Sequence, residues 1–265
     1  MTTRRTPRGA SGQRRWLALQ VIVVALGIVT YFGVRGLTVD SGELAQEHAR
    51  EVVDLERRLG AQVEGAWQAP VRRSPALATL ANWIYIWGHW PVIIAAMAWL
   101  VWRHRESFLL LRDAMVASGL LGMAVFVTYP LAPPRLTDLD ILDTVTQTSS
   151  AYRVLQPPMF VNQYAAMPSL HAGWDLLVGI AVMTAASSRL VRTLATLLPV
   201  LMAYAVVATG NHYLVDVPAG IGIALIGYAV ARLLARRRSG DHTFAGPSAG
   251  PMAGRAPQLV GATRP

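Results

Sequence analysis

The sequence predicts an all-α polytopic membrane protein, with six transmembrane helices and an extracytoplasmic amphipathic helix. Three observations carry that expectation. The 265 residues are 53% hydrophobic and 15% charged, whereas an average soluble domain carries roughly 25% charged residues. Mean hydropathy is +0.37. Six apolar stretches, 16–36, 77–102, 107–129, 169–188, 190–209 and 214–235, each approach the ~20 residues a helix needs to cross a bilayer. Lipid offers backbone amides no partner, so segments this apolar must close their hydrogen bonds as helices.

Residues 1–15 are basic, with Arg4, Arg5, Arg8, Arg14 and Arg15, and read as a cytoplasmic N-terminus. Arg14-Arg15-Trp16-Leu17 faintly resembles a twin-arginine signal. The run 16–36, however, exceeds the roughly 7–15 residues of a signal h-region and precedes no A-x-A-like site, which favours an uncleaved span. Within 37–76, Leu44, His48, Val52, Leu55, Leu59 and Val63 recur at helical spacing behind Ser41-Gly42-Glu43 and predict an amphipathic helix. It rests on the outer membrane surface or caps the bundle; a substrate lid is the sharper alternative. Residues 77–238 form the expected five-helix catalytic core. Their long 130–168 connector is rich in proline and polar residues, as functional loops often are. The Gly/Pro/Ala/Ser-rich stretch 239–265 reads as a disordered cytoplasmic tail. No internal repeat is visible.

The net charge of +9 is carried by arginine alone, for there is no lysine. Arg103, Arg105, Arg189, Arg192, Arg232 and Arg236 to Arg238 fall on the side of the N-terminus, and the positive-inside rule makes that side cytoplasmic. Connectors 37–76, 130–168 and 210–213 then face outward. Charge spread over ends and connectors points to anionic lipid and topology, not to nucleic acid. The sequence has no cysteine, so disulfides and thiolate metal sites are excluded.

The chemistry gathers at the outer ends of the spans. Arg135 follows Tyr129-Pro130-Leu131-Ala132-Pro133-Pro134. His171 lies in Met167-Pro168-Ser169-Leu170-His171-Ala172-Gly173. His212 and Asp216 lie in Gly210-Asn211-His212-Tyr213-Leu214-Val215-Asp216. Intramembrane ionisable groups are costly and usually functional. Phosphoryl transfer needs a nucleophile, an orienting group, an acid for the leaving oxygen and positive potential for phosphate. His212 can be the nucleophile, with Asp216 four residues on to orient it. His171 can protonate the leaving oxygen, Arg135 can bind phosphate bidentately, and Ser169 opens a helix whose free N–H groups attract an anion. Asp175 shares a helix face with His171 and either holds it or satisfies a neighbouring span. His89, in Trp87-Gly88-His89-Trp90-Pro91, either packs or lines a headgroup pocket. Asn211 and Tyr213, inside the second motif, are further substrate-binding candidates, and Asn162, Gln163 and Tyr164 are candidates to shape the pocket.

The Pro-Ser-x-His and His-x-x-x-Asp pair resembles the type 2 phosphatidic acid phosphatase superfamily, over roughly 75–235. More narrowly it resembles the inositol phosphorylceramide synthase branch. The resemblance implies a phosphohistidine on His212, Asp216 orienting that ring, and His171 as acid and then base, without cofactor or metal. Three positions depart from the phosphatase pattern: Thr128 replaces a lysine, and Ala205-Val206 replaces Ser-Arg. A cradle with fewer cations fits transfer of a phosphodiester headgroup, which brings less charge than a phosphomonoester. A metal hydrolase lacks its H-E-x-x-H here, and a serine hydrolase on Ser169 lacks its G-x-S-x-G elbow. A transporter or scaffold with a degenerate site is the non-enzymatic alternative. The expected partners are the membrane and a phosphorylated lipid or phospholipid.

Overall fold

The computed structural model describes residues 10–38, 40–148 and 162–240. The basic stretch 1–9, the middle of the 130–168 connector and the tail beyond 240 lie outside these residues. Ten α-helices account for about four fifths of the described chain. They are α1 (Ala10–Thr38), α2 (Gly42–Leu59), α3 (Glu64–Arg73), α4 (Pro75–Trp87), α5 (Trp90–Arg103), α6 (Arg105–Thr128), α7 (Thr144–Thr148), α8 (Leu170–Ala185), α9 (Arg189–Ala208) and α10 (Asp216–Gly240).

Four helices are long and apolar enough to cross a membrane: Ser11–Thr38, Arg105–Thr128, Arg189–Ala208 and Asp216–Arg238. The pair α4 and α5, bent by 41° between Trp87 and Trp90, makes a fifth if it counts as one span. These helices mark a multi-pass membrane protein. The expected span over 169–188 is shorter, because α8 has only 16 residues, about 24 Å at 1.5 Å per residue against a hydrocarbon core of ~30 Å. The chain leading into α8 is non-helical, and it carries the polar groups described below. Pro91 sits in the first turn of α5, where a missing N–H costs nothing, so the helix stops at Gly88 and restarts beyond His89.

α6, α8, α9 and α10 pack side by side, with α5 and α1 alongside. Leu100, Phe108, Leu111, Ala114, Leu177, Val178, Ala224 and Ala231 are buried between them. Outward faces keep large apolar side chains exposed, among them Leu120, Leu194, Val200, Ile226 and Leu233, as a lipid-facing surface requires. At the end away from the sequence motifs, Asp113 pairs with Arg112 and with Arg238 (2.8 Å), tying α6 to α10.

The amphipathic helix forms, ending at Gly60 in the left-handed region that glycine occupies freely. Its buried face differs from the expected stripe. Ala45, Ala49, Val52, Val53 and Glu56 turn inward, whereas Leu44, Leu55 and Leu59 are 45%, 48% and 66% exposed. The reason is close approach. α2 lies on Leu131, Ala132, Ala166 and Tyr213, near enough for the Ala132 N–H to bond the Ala45 carbonyl at 3.1 Å, and alanine permits this where leucine does not. α2 thus caps the loops at one end of the bundle. α10 runs to Gly240, and the rest of the expected tail lies outside the described residues.

Candidate active site

α9 ends where Gly210 takes a φ of 75°, and a Cβ there would lie 2.8 Å from Ile141 Cγ2 and 2.9 Å from the Leu142 carbonyl oxygen. Only glycine meets both demands. The turn folds back so that the N–H groups of Asn211 and His212 both bond the Val206 carbonyl, each at 3.1 Å. Asp216 opens α10, and its Oδ2 accepts the Tyr213 N–H at 2.8 Å and faces His212 Nδ1 at 3.3 Å. His212 Nδ1 lies closer still to the Ala166 carbonyl, at 2.6 Å. A carbonyl only accepts, so Nδ1 carries the proton, and in the neutral ring the lone pair is then on Nε2.

α8 is drawn against α10 through two glycines. A Cβ on Gly173 would stand 2.5 Å from the Gly220 carbonyl oxygen, and one on Gly220 would stand 2.0 Å from that of Ser169. The Ser169 N–H bonds the Asp216 carbonyl at 3.0 Å, and Ser169 Oγ caps α8 through the Ala172 N–H at 3.5 Å. This contact carries His171 to His212, with ring centroids 6.0 Å apart and planes 60° apart. His171 stacks on Tyr85 at 4.7 Å and leans on His89 at 4.2 Å. Among the described residues no hydrogen bond to the His171 ring is found.

Asp175 does not hold His171. Its Oδ1 meets His89 Nδ1 at 2.8 Å, and both side chains are buried. The break between α4 and α5 makes this possible by presenting His89 to α8. A second histidine–aspartate pair therefore backs the His171 ring.

Arg135 sits on the short 3-10 turn Pro134–Leu136. Its N–H bonds the Gly210 carbonyl at 3.0 Å and its guanidinium donates to Asn211 Oδ1 at 2.5 Å. Asp143 Oδ2 lies 3.4 Å from its Nε, so part of the positive charge is already balanced. Asn211 also donates to Thr209 Oγ1 at 2.8 Å. Tyr213 is fully buried and its hydroxyl bonds the Ala132 carbonyl at 3.0 Å; like Ser169, it frames the turn and has no open face. Asn162 accepts the Tyr164 N–H at 3.2 Å, and Tyr164 lines a groove with Asp40 to Leu44, while Gln163 is exposed. No group of three or more His, Asp or Glu donors able to hold a metal is found among the described residues.

Four polar residues outside the motifs also reach the site's loops. Glu56 Oε1 accepts the Val215 N–H and Glu64 Oε1 the Leu214 N–H, each at 2.9 Å. Gln68 bonds both backbone groups of Leu142 and the Ala208 carbonyl, and Asn82 bonds Thr144. One signal for Glu56 was available: 45, 49, 52, 53 and 56 share one helical face, which places an acid on a stripe of small apolar residues. Glu64, Gln68 and Asn82 leave no such trace.

A family model described as the PAP2 superfamily matches residues 50–230. No curated protein and no solved structure matches the chain. The matched segment spans every side chain of the site, together with Glu56, Glu64, Gln68 and Asn82.

Proposed function

The chain belongs to the PAP2 superfamily, whose membership supports a phosphatase-type activity, and we propose that it cleaves or transfers phosphate esters of membrane lipids through His212. The single observation that carries this reading is the His212 ring. Its Nδ1 proton is committed to Ala166 and Asp216, which leaves Nε2 as a lone pair beside His171.

In this mechanism His212 Nε2 attacks phosphorus, forming a P–N bond as the ester P–O bond breaks. His171 gives its proton to the departing lipid oxygen. Water or an alcohol then attacks the same phosphorus, His171 takes the proton back, and the P–N bond breaks. Asp216 stabilises the cation that forms on His212. Arg135 draws in the phosphate oxygens. Arginine placement supports an extracytoplasmic site, within reach of outer-leaflet lipids.

A headgroup transferase of the inositol phosphorylceramide synthase kind is the second reading. What favours it is Arg135, paired with Asp143 at 3.4 Å, together with Thr128, Ala205 and Val206 where the phosphatase pattern has polar or basic residues. A phosphodiester asks less of such a cradle than a doubly charged phosphomonoester. Purified protein incubated with radiolabelled phosphatidate, polyprenyl phosphate and phosphoinositide, with and without inositol, tests both readings. The expected result is turnover with an acid-labile phosphoryl label on the protein, absent in His212→Gln. A label that persists in His212→Gln, or no turnover of any of these lipids, overturns the proposal.

A further inference from the structure

We propose that Glu56 and Glu64 clamp the turn between His212 and Asp216 by holding two consecutive backbone amides, and so position the His212 imidazole. The role rests on the reaction proposed above; the clamp itself does not.

The two carboxyls come from different helices, α2 and α3, that precede the membrane bundle. They converge on Val215 and Leu214 at 2.9 Å each. These amides lead into α10, where a helix start leaves N–H groups without intrahelical partners. Water ordinarily satisfies such groups. Here Glu56 is 0% and Glu64 2% exposed, and a buried carboxyl is costly unless its bonds hold something in place. Apart from the hydrogen bond between the two carboxyls themselves, the backbone bonds are the ones that fix these side chains. Shifting either helix would release the turn that aims His212.

The clamp also titrates. Around Glu56 stand Glu64 from α3, Asp216 at the start of α10 and Tyr213 from the turn. Burial pushes the Glu56 carboxyl up to about 8; the Val215 N–H opposes the rise, and Glu64 and Asp216 add to it. The fold therefore favours neutral Glu56. Its stabilisation is complete at acid pH and is lost as pH rises through about 8, when a buried carboxylate replaces the neutral acid.

Hydrogen exchange on the full-length protein in lipid nanodiscs tests the clamp without reference to turnover. In the wild type, protection factors of the Leu214 and Val215 amides are expected to fall as pH rises from 7 to 9 (about one unit either side of the Glu56 value). In Glu56→Gln, whose carbonyl oxygen still accepts the Val215 N–H, they stay level. Glu56→Leu and Glu64→Leu lose at least about tenfold in protection. In the lipid-phosphate assay, Glu56→Leu lowers kcat by about 10²-fold with KM held, the scale of a misplaced reacting group; Glu56→Gln restores kcat and removes the alkaline decline. Leu214 and Val215 protection that is unchanged in Glu56→Leu and Glu64→Leu overturns the clamp, and wild-type protection that does not fall with pH overturns its titration. A wild type that turns over no lipid while exchange behaves as described overturns the proposed function and leaves the clamp standing.

Discussion

Two histidine–aspartate pairs occupy the same end of the bundle and are built in opposite ways. His212 and Asp216 are four residues apart on one turn, with Nδ1 and Oδ2 3.3 Å apart, and His212 spends its shortest bond on the Ala166 carbonyl. His89 and Asp175 come from segments 86 residues apart, meet at 2.8 Å, and are buried between α8 and the break that separates α4 from α5. The first pair hangs on a turn that other helices must hold. The second is walled in by tryptophans and His171. Both histidine side chains are buried, 6% and 3% exposed, so the pairs differ in how each ring is held, one by a local turn and the other by two distant segments.

His212→Gln should separate the pairs most sharply. It removes the proposed nucleophilic nitrogen, and we expect kcat to fall on the order of 10⁴–10⁶-fold, as when a covalent nucleophile is deleted, with thermal stability retained. His171→Ala, which removes the group between the pairs, should cost about 10²–10⁴-fold, measured as kcat on the same lipid.

Asp216→Asn is a finer probe. Where a carboxylate alone sets the tautomer of its histidine, the amide costs about 10⁴-fold. Here the Ala166 carbonyl already holds the Nδ1 proton, so the expected loss is smaller, about 10²-fold. A loss as large as that of His212→Gln would show that Ala166 does not set the tautomer.

Asp175→Asn tests the supporting pair. Weakening a buried charge-assisted bond should cost about 1–3 kcal/mol of stability and lower kcat about tenfold through the shifted His171 ring, far less than any change at His212. Parity between Asp175→Asn and Asp216→Asn in kcat would break the distinction between the pairs. The smallest kinetic effect is expected from Gly210→Ala, which strains the turn by about 1–3 kcal/mol and should appear first as a lowered melting temperature.

Much of the site was legible because its parts are local. His212 and Asp216 lie one helical turn apart, and His171 follows a recognisable helix start, so spacing and the family resemblance together mark them as candidates. Arg135 was found through the proline run that ends its span. The partner of Asp175 was not legible: its helix face suggested His171, and only the bend at Gly88-His89 brings His89 within reach. Glu56 and Glu64 were missed because an acid on an amphipathic helix reads as solvent-facing until the opposite surface is known. The expected leucine stripe of α2 misled for the same reason, since hydrophobicity ranks side chains by size while this interface selects alanine for close packing.

By itself the sequence determined the membrane class, the helical character of its apolar segments and which polar side chains are candidates for the proposed reaction. Those follow from composition, from the need of backbone amides for partners in lipid, and from short-range spacing. Tertiary structure alone decided how long α8 is, which face of α2 is buried, which histidine Asp175 serves, and that two carboxyls grip the Leu214 and Val215 amides. Each of these depends on the distance between segments far apart in the chain, and residue order does not carry that distance.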